Sequence, residues 1–364
     1  MSAMRIAYCS EWERSEERYR AFWANEALDR PAIYLTAPRE EPLPGPPRPA
    51  PPDDWLRYWT DIEYVIARAD YTFRHTEYFA EAFPNLWINF GPGIVAAYLG
   101  ARIACDASTV WFHPIIRDWE TAKLRLEPEN WWWKRTQEIT RAAVEFGAGK
   151  FFVGITDLGG VSDVLASLRG SAQLQMDFLL NPELVARSLR TITEYWKSCY
   201  EALYRIMDER MVGSAQFLNL WSPRRMYNIQ SDLCCMISPQ LFEKFIVPEL
   251  EAECEFLDDV TFHLDGPGAI KHLERICAIP NLKGIQWTPG AGQPPAAEWL
   301  PLLRYIQRKG KLLCLHDHIS KAEKLIRGLS PRGLWIWFEG GASSREEALD
   351  LLRLARQWAG SDAA

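Results

Sequence analysis

Val260-Thr-Phe-His-Leu-Asp-Gly266 is the stretch on which the reading of this chain turns. Val260, Phe262 and Leu264 give it one apolar side. His263 and Asp265 fall two residues apart, so on an extended strand both point the same way. Gly266-Pro-Gly268 follows and permits a sharp turn into the next element. Three further segments share this design: Gly213-Ser-Ala-Gln-Phe-Leu-Asn-Leu-Trp221, Leu282-Lys-Gly-Ile-Gln-Trp287 and Gly333-Leu-Trp-Ile-Trp-Phe-Glu-Gly-Gly341. A strand with an apolar body and a polar or aromatic C-terminal end is how a (β/α)8 barrel gathers an active site at its rim.

Outward from these segments, strand-like and helix-like stretches alternate from residue 213 to the end, which predicts a parallel sheet. Upstream, a helix is expected over 10–30, with Ser10 and Glu13 spaced as a capping box. Ala32-Ile-Tyr-Leu-Thr36 reads as a first strand, and the prolines between 38 and 53 favour an extended loop. Residues 55–82 read as helical and Thr109-Val-Trp-Phe-His113 as a short β-run. Lys150-Phe-Phe-Val-Gly-Ile-Thr-Asp157 reads as a strand broken by Gly159-Gly160, with helices over 161–179 and 182–210. The expected fold is α/β: one (β/α)8 TIM barrel over 1–364, with an N-terminal helical extension and Pro-rich loop over about 1–53.

Composition narrows the partners. A net charge of −7, without a basic cluster beyond Arg224-Arg225, disfavours nucleic acid and anionic membranes. No basic-then-apolar leader and no run of ~18 apolar residues is present, so a cytoplasmic location is expected. The eight cysteines lack CxxC spacing and read as reduced, buried small residues. Seventeen tryptophans exceed what core packing ordinarily needs, because a buried indole N–H wants a partner. Most still belong to the core. Trp221, Trp287 and Trp337, at strand ends, are candidates for an aromatic cage that would hold a methylated ammonium or a flat ring.

Several motifs stand in a recurring order: Gly154-Ile-Thr-Asp-Leu-Gly-Gly160, Leu168-Arg-Gly170, Met176-Asp-Phe-Leu-Leu-Asn-Pro182, Ser231-Asp232, Ile237-Ser-Pro-Gln-Leu-Phe242 and Phe262-His-Leu-Asp-Gly266. Together, over about 80–358, they resemble the uroporphyrinogen decarboxylase superfamily, which includes porphyrinogen decarboxylases and zinc- and corrinoid-dependent methyltransferases. The resemblance implies a (β/α)8 barrel, a small-molecule substrate and a homodimer. The decarboxylases carry two arginines after the first strand, whereas only Arg39 stands there, out of step. A polycarboxylate needs several such cations. The methyltransferase branch binds zinc through His-x-Cys and a later Cys. Here His263 matches, Asp265 takes the first Cys position and Glu339 falls near the second. A His/Asp/Glu set suits Zn²⁺ or a harder cation with one position open.

The reading preferred from the sequence is therefore a metal-assisted methyltransferase. It would pass a methyl group from a small methylated compound to a corrinoid on a partner protein, with His263, Asp265 and Glu339 as ligands. Cys314 and His316 form a weaker alternative metal pair. A metal-free decarboxylase using Asp232 or Asp157 is the second reading; glycoside cleavage by two carboxylates and simple binding are further ones. Each candidate has a plain structural alternative: Asp265 or Asp232 as a helix cap, Glu339 as a solvated loop carboxylate, and each Trp as core.

Overall fold

A computed structural model describes residues 6–9, 11–106, 108–208 and 211–360. Its centre is a mostly parallel sheet. We label the strands β1 (Ala32–Pro38), β2 (Thr76–Ala80), β3 (Asn85–Trp87), β4 (Phe152–Gly154), β5 (Met226–Gln230), β6 (Asp259–Asp265), β7 (Gly284–Thr288), β8 (Leu312–His318) and β9 (Leu334–Glu339). Seven form one sheet in the order β2-β1-β9-β8-β7-β6-β5, parallel except for β2 against β1. The parallel pair β3–β4 stands apart from that ladder. Glu81 N–H to Ile33 O (3.0 Å) ties the turn before β3 to β1, and Asn228 N–H to Gln216 Oε1 (3.1 Å) ties β5 to the loop that meets Ile155. The architecture is α/β and consistent with a barrel-like arrangement, without a continuous closed ladder among the described residues.

Period-two alternation explains the two cores. Ile33, Leu35, Phe262, Leu264, Ile285, Leu313, Ile336 and Phe338 face outward into a cluster shared with the covering helices. Tyr34, Met226, Leu312, Cys314 and Trp335 face the other way. There they meet Trp12 and Tyr19 of the N-terminal helix Trp12–Trp23, which plugs the N-terminal end of the sheet. The C-terminal end is left for polar residues. No helix among the described residues is long and apolar enough to cross a membrane.

The structure departs from expectation at several elements. Ser10, the expected cap, lies outside the described residues, and the helix ends at Trp23. The stretch 55–82 divides into helices Trp55–Thr60 and Ile62–Arg74 and then β2. Thr76–Ala80 pairs with β1, in keeping with its Thr76, Tyr78 and Phe79, types that strands favour. Val110–His113 pairs only with Arg102–Cys105, as a hairpin outside the main sheet. Helix 161–179 breaks at Gly170, whose φ of 92° no helix accepts. Segment 213–221 is a short antiparallel pair, Ser214–Ala215 with Trp221–Ser222, and the sheet strand follows it as β5. Met226-Tyr-Asn-Ile-Gln230 is buried at every position, its Asn228 and Gln230 included.

One buried ion pair locks β1 in place. Arg30 donates to both oxygens of Glu81 (2.7 and 3.0 Å), and Glu81 Oε2 also accepts Ile33 N–H (2.6 Å); both side chains are buried. Glu81→Ala strands the Arg30 guanidinium, so denaturant titration should show a loss of about 3–5 kcal/mol. A loss below about 1 kcal/mol would mean that water reaches Arg30.

Candidate metal centre

The rim of the sheet brings Asp232, His263 and Asp265 together, with candidate ligand atoms within 4.8 Å of one another. His263 and Asp265 arrive on the inward face of β6, as their spacing requires. Asp232 opens a short 3₁₀ turn, Asp232–Met236, directly after β5. Neither carboxylate caps a helix. Asp265 precedes the turn Gly266–Ala269 but accepts no capping bond there. The 3₁₀ turn is instead capped by Asp163, which accepts the N–H groups of Asp232 (2.9 Å) and Leu233 (2.8 Å).

The three carboxylates Asp163, Asp232 and Asp265 line a cleft of about 500 Å³ whose wall also includes Phe112, Pro114, Cys235 and Met236. Its lining residues include no Lys or Arg. Beneath it lies Asp157, which is buried and accepts Gly159 N–H (2.8 Å) and the Tyr227 hydroxyl (3.3 Å). The loop after β4 comes close because it is glycine: a Cβ on Gly160 would stand 2.1 Å from Gln230 O.

The electrostatics follow from crowding acids with little compensating charge. Burial pushes Asp157 up to about 6, against the Gly159 N–H that favours its anion. Asp163 is raised by burial and by the charge of Asp232, despite its two backbone donors. Asp232 is exposed to the cleft yet crowded by protein around it. That crowding raises it, His263 opposes the rise and Asp265 adds to it. Such a cluster welcomes a cation, which would return these groups to their anions.

His263 is oriented for that role. Its Nδ1 is hydrogen-bonded to Gln286 Oε1, and a carbonyl only accepts, so Nδ1 carries the proton and Nε2 keeps a lone pair. One imidazole nitrogen and two carboxylates fit Zn²⁺ or a harder divalent ion with a position left open.

The fold has a solved counterpart. A methyltransferase from Methanosarcina mazei superposes with a TM-score of 0.62 at 13% identity, over 94% of this chain and 98% of that one. At that identity the likeness establishes fold. No protein-family model matches the chain, and neither does any curated protein.

Several expected site residues sit elsewhere. Glu339 does not join His263: it lies three strands away, about 14 Å along a sheet at the usual strand spacing, and is hydrogen-bonded to His316 Nδ1 (2.6 Å). Cys314 is fully buried in the inner floor, and His316, two residues on, is paired with Glu339. Trp221 lies at the opposite end, against Trp12 (5.1 Å between rings), with its N–H on Val212 O. Trp287 alternates with the inward Gln286 and Thr288, so it faces outward, fully buried against Trp299 (5.1 Å). Only Trp337 of the three keeps partial exposure, on the inward face beside Tyr34 (5.9 Å). No aromatic cage forms from this trio.

Proposed function

We propose that this chain, residues 1–364, is a (β/α)8-type enzyme of the uroporphyrinogen decarboxylase superfamily that catalyses metal-assisted methyl transfer. Asp232, His263 and Asp265 would hold a divalent ion, with zinc the first candidate. What carries the reading is their convergence at the C-terminal rim beside an open, acid-lined cleft. The likeness to a methyltransferase fold is compatible with it. The bound ion would polarise the heteroatom that bears the methyl group.

The chain's own residues do the rest. Asp232 and Asp265 supply charge, His263 supplies a fixed nitrogen, and Phe112 and Met236 offer apolar contact for the substrate's carbon skeleton. Asp163, set in the wall, holds the N–H groups of Asp232 and Leu233 and so fixes the turn that presents Asp232. A corrinoid carried over the cleft by a separate protein would be the methyl acceptor, in the cytoplasm, with the enzyme as a homodimer. Metal-free decarboxylation of a carboxylated ring compound is less well supported. The cleft lining offers no cation for carboxylates, and Arg39 is turned to Thr76 O (3.2 Å).

The test is elemental analysis of purified protein, followed by a screen of methylated amines and methoxy compounds with a reduced corrinoid acceptor. One equivalent of metal and substrate-dependent corrinoid methylation are expected. Release of CO2 from pyrrole or aromatic carboxylates by metal-free protein would overturn the reading.

A further inference from the structure

A line of side chains crosses four adjacent strands at the rim and reaches His263 from the far side of the sheet. Gln286 Nε2 donates to Thr288 Oγ1 (2.7 Å), Thr288 Oγ1 meets His316 Nε2 (3.3 Å), and His316 Nδ1 meets Glu339 Oε1 (2.6 Å). At the other end Gln286 Oε1 meets His263 Nδ1. We propose that this relay is a positioning device in which Glu339, through His316, Thr288 and Gln286, sets the tautomer of His263. The proposal rests on the metal reading above for its purpose, though not for its geometry.

Donor and acceptor logic gives the line one direction. An ionised carboxylate only accepts, so His316 Nδ1 must carry the proton. A neutral His316 then presents Nε2 as an acceptor, and the Thr288 hydroxyl donates to it. The Thr288 oxygen accepts from the Gln286 amide nitrogen. The Gln286 carbonyl is thereby turned to His263 and accepts a hydrogen bond from Nδ1–H. His263 Nε2 is left with its lone pair free for a cation. With the Gln286 amide nitrogen toward His263 instead, the ring would carry its proton on Nε2 and lose its ligand atom. A charge at Glu339, half exposed at the rim, therefore specifies which nitrogen of His263 can bind metal. It also gives His316 and Glu339 a role that needs no ion at their own position.

The experiment reads the tautomers directly. Long-range ¹H–¹⁵N spectra of the metal-free protein, which has only six histidines to assign, report which ring nitrogen is protonated. Zinc affinity is measured in parallel by chelator competition. In the wild type, His263 and His316 should both be Nδ1-protonated. Thr288→Val and Glu339→Ala should each mix the tautomers of His263 and weaken zinc about 10–100-fold at unchanged stoichiometry. Thr288→Ser, which keeps the hydroxyl, should hold both readouts near wild type. Nε2-protonated His263 in the wild type, or Thr288→Val and Glu339→Ala proteins with an unmoved tautomer, would overturn the relay. A wild type that binds no zinc, but whose His263 tautomer still depends on Thr288, would sink the metal reading and leave the relay standing.

Discussion

His263→Ala is expected to abolish stoichiometric metal binding and, with it, methyl transfer. His263 supplies the only nitrogen among the three converging donors. Without it two carboxylates remain at an open rim, a set that competes poorly with water for a zinc-like ion. The loss of affinity should exceed about 100-fold, the upper end of what removing a mere partner of a ligand costs. Asp232→Asn keeps an oxygen but removes a charge, so it should fall between His263→Ala and wild type. Dialysed protein is assayed for metal and for corrinoid methylation on the same preparations. The fold should persist, because His263 stands at the rim and the inner floor lies below it at Leu312, Cys314 and Trp335. Thermal melting checks this. Full activity in metal-free His263→Ala would refute a metal role at this site and return attention to Asp157 and Asp163 as acids.

What the sequence discloses here depends on whether a residue's role is local. Strand alternation is local, so Phe262 and Leu264 outward with His263 and Asp265 inward could be read directly from residues 260–266. The same rule, applied to residues 284–288, assigns Gln286 and Thr288 to the inside and Trp287 to the outside. Expecting Trp287 in the cleft gave its ring chemistry more weight than its parity. The partnership of Asp232 with β6 was not legible, because it depends on β5, a strand buried along its whole length. Asp163 was invisible for a related reason. In sequence it is an acid in the first turn of a helix, an ordinary dipole match. Only the close approach at Gly160 turns it into the cap of another element. Glu339 was assigned to the metal through the resemblance, and the strand order separates it from His263 by the width of β7 and β8.

Glu253→Gln should stabilise the protein increasingly as pH rises above the ordinary carboxylate range. Glu249 and Glu253 lie four apart on the helix Val247–Phe256, and both are buried. Among the described residues neither oxygen of Glu253 has a hydrogen-bond partner, and Glu249 accepts the Ser162 N–H (3.2 Å). Burial pushes both groups well above the usual value. The charges of Glu249 and Asp163 add to this for Glu253, and Lys197 opposes it. At low pH both states are protonated and the pair carries no penalty. Above about pH 4.3 the unfolded chain releases these protons and the folded chain retains them, so stability falls. The slope is about 1.4 kcal/mol per pH unit for each group, continuing until its folded-state value is reached. Gln is neutral throughout and removes one group's share. Urea titrations should therefore give nearly equal stabilities for variant and wild type at about pH 4 and below, and a widening advantage for the variant toward pH 8. Parallel pH dependences would show that Glu253 is already ionised in the fold, solvated by water that enters the helix layer. The arrangement bears on the site, since Glu249 holds the N–H of Ser162, whose hydroxyl meets that of Ser231 (2.8 Å). Those two serines stand next to Asp163 and Asp232 in the chain, so Glu249 braces the helix start and the strand end that together present the acidic wall of the cleft.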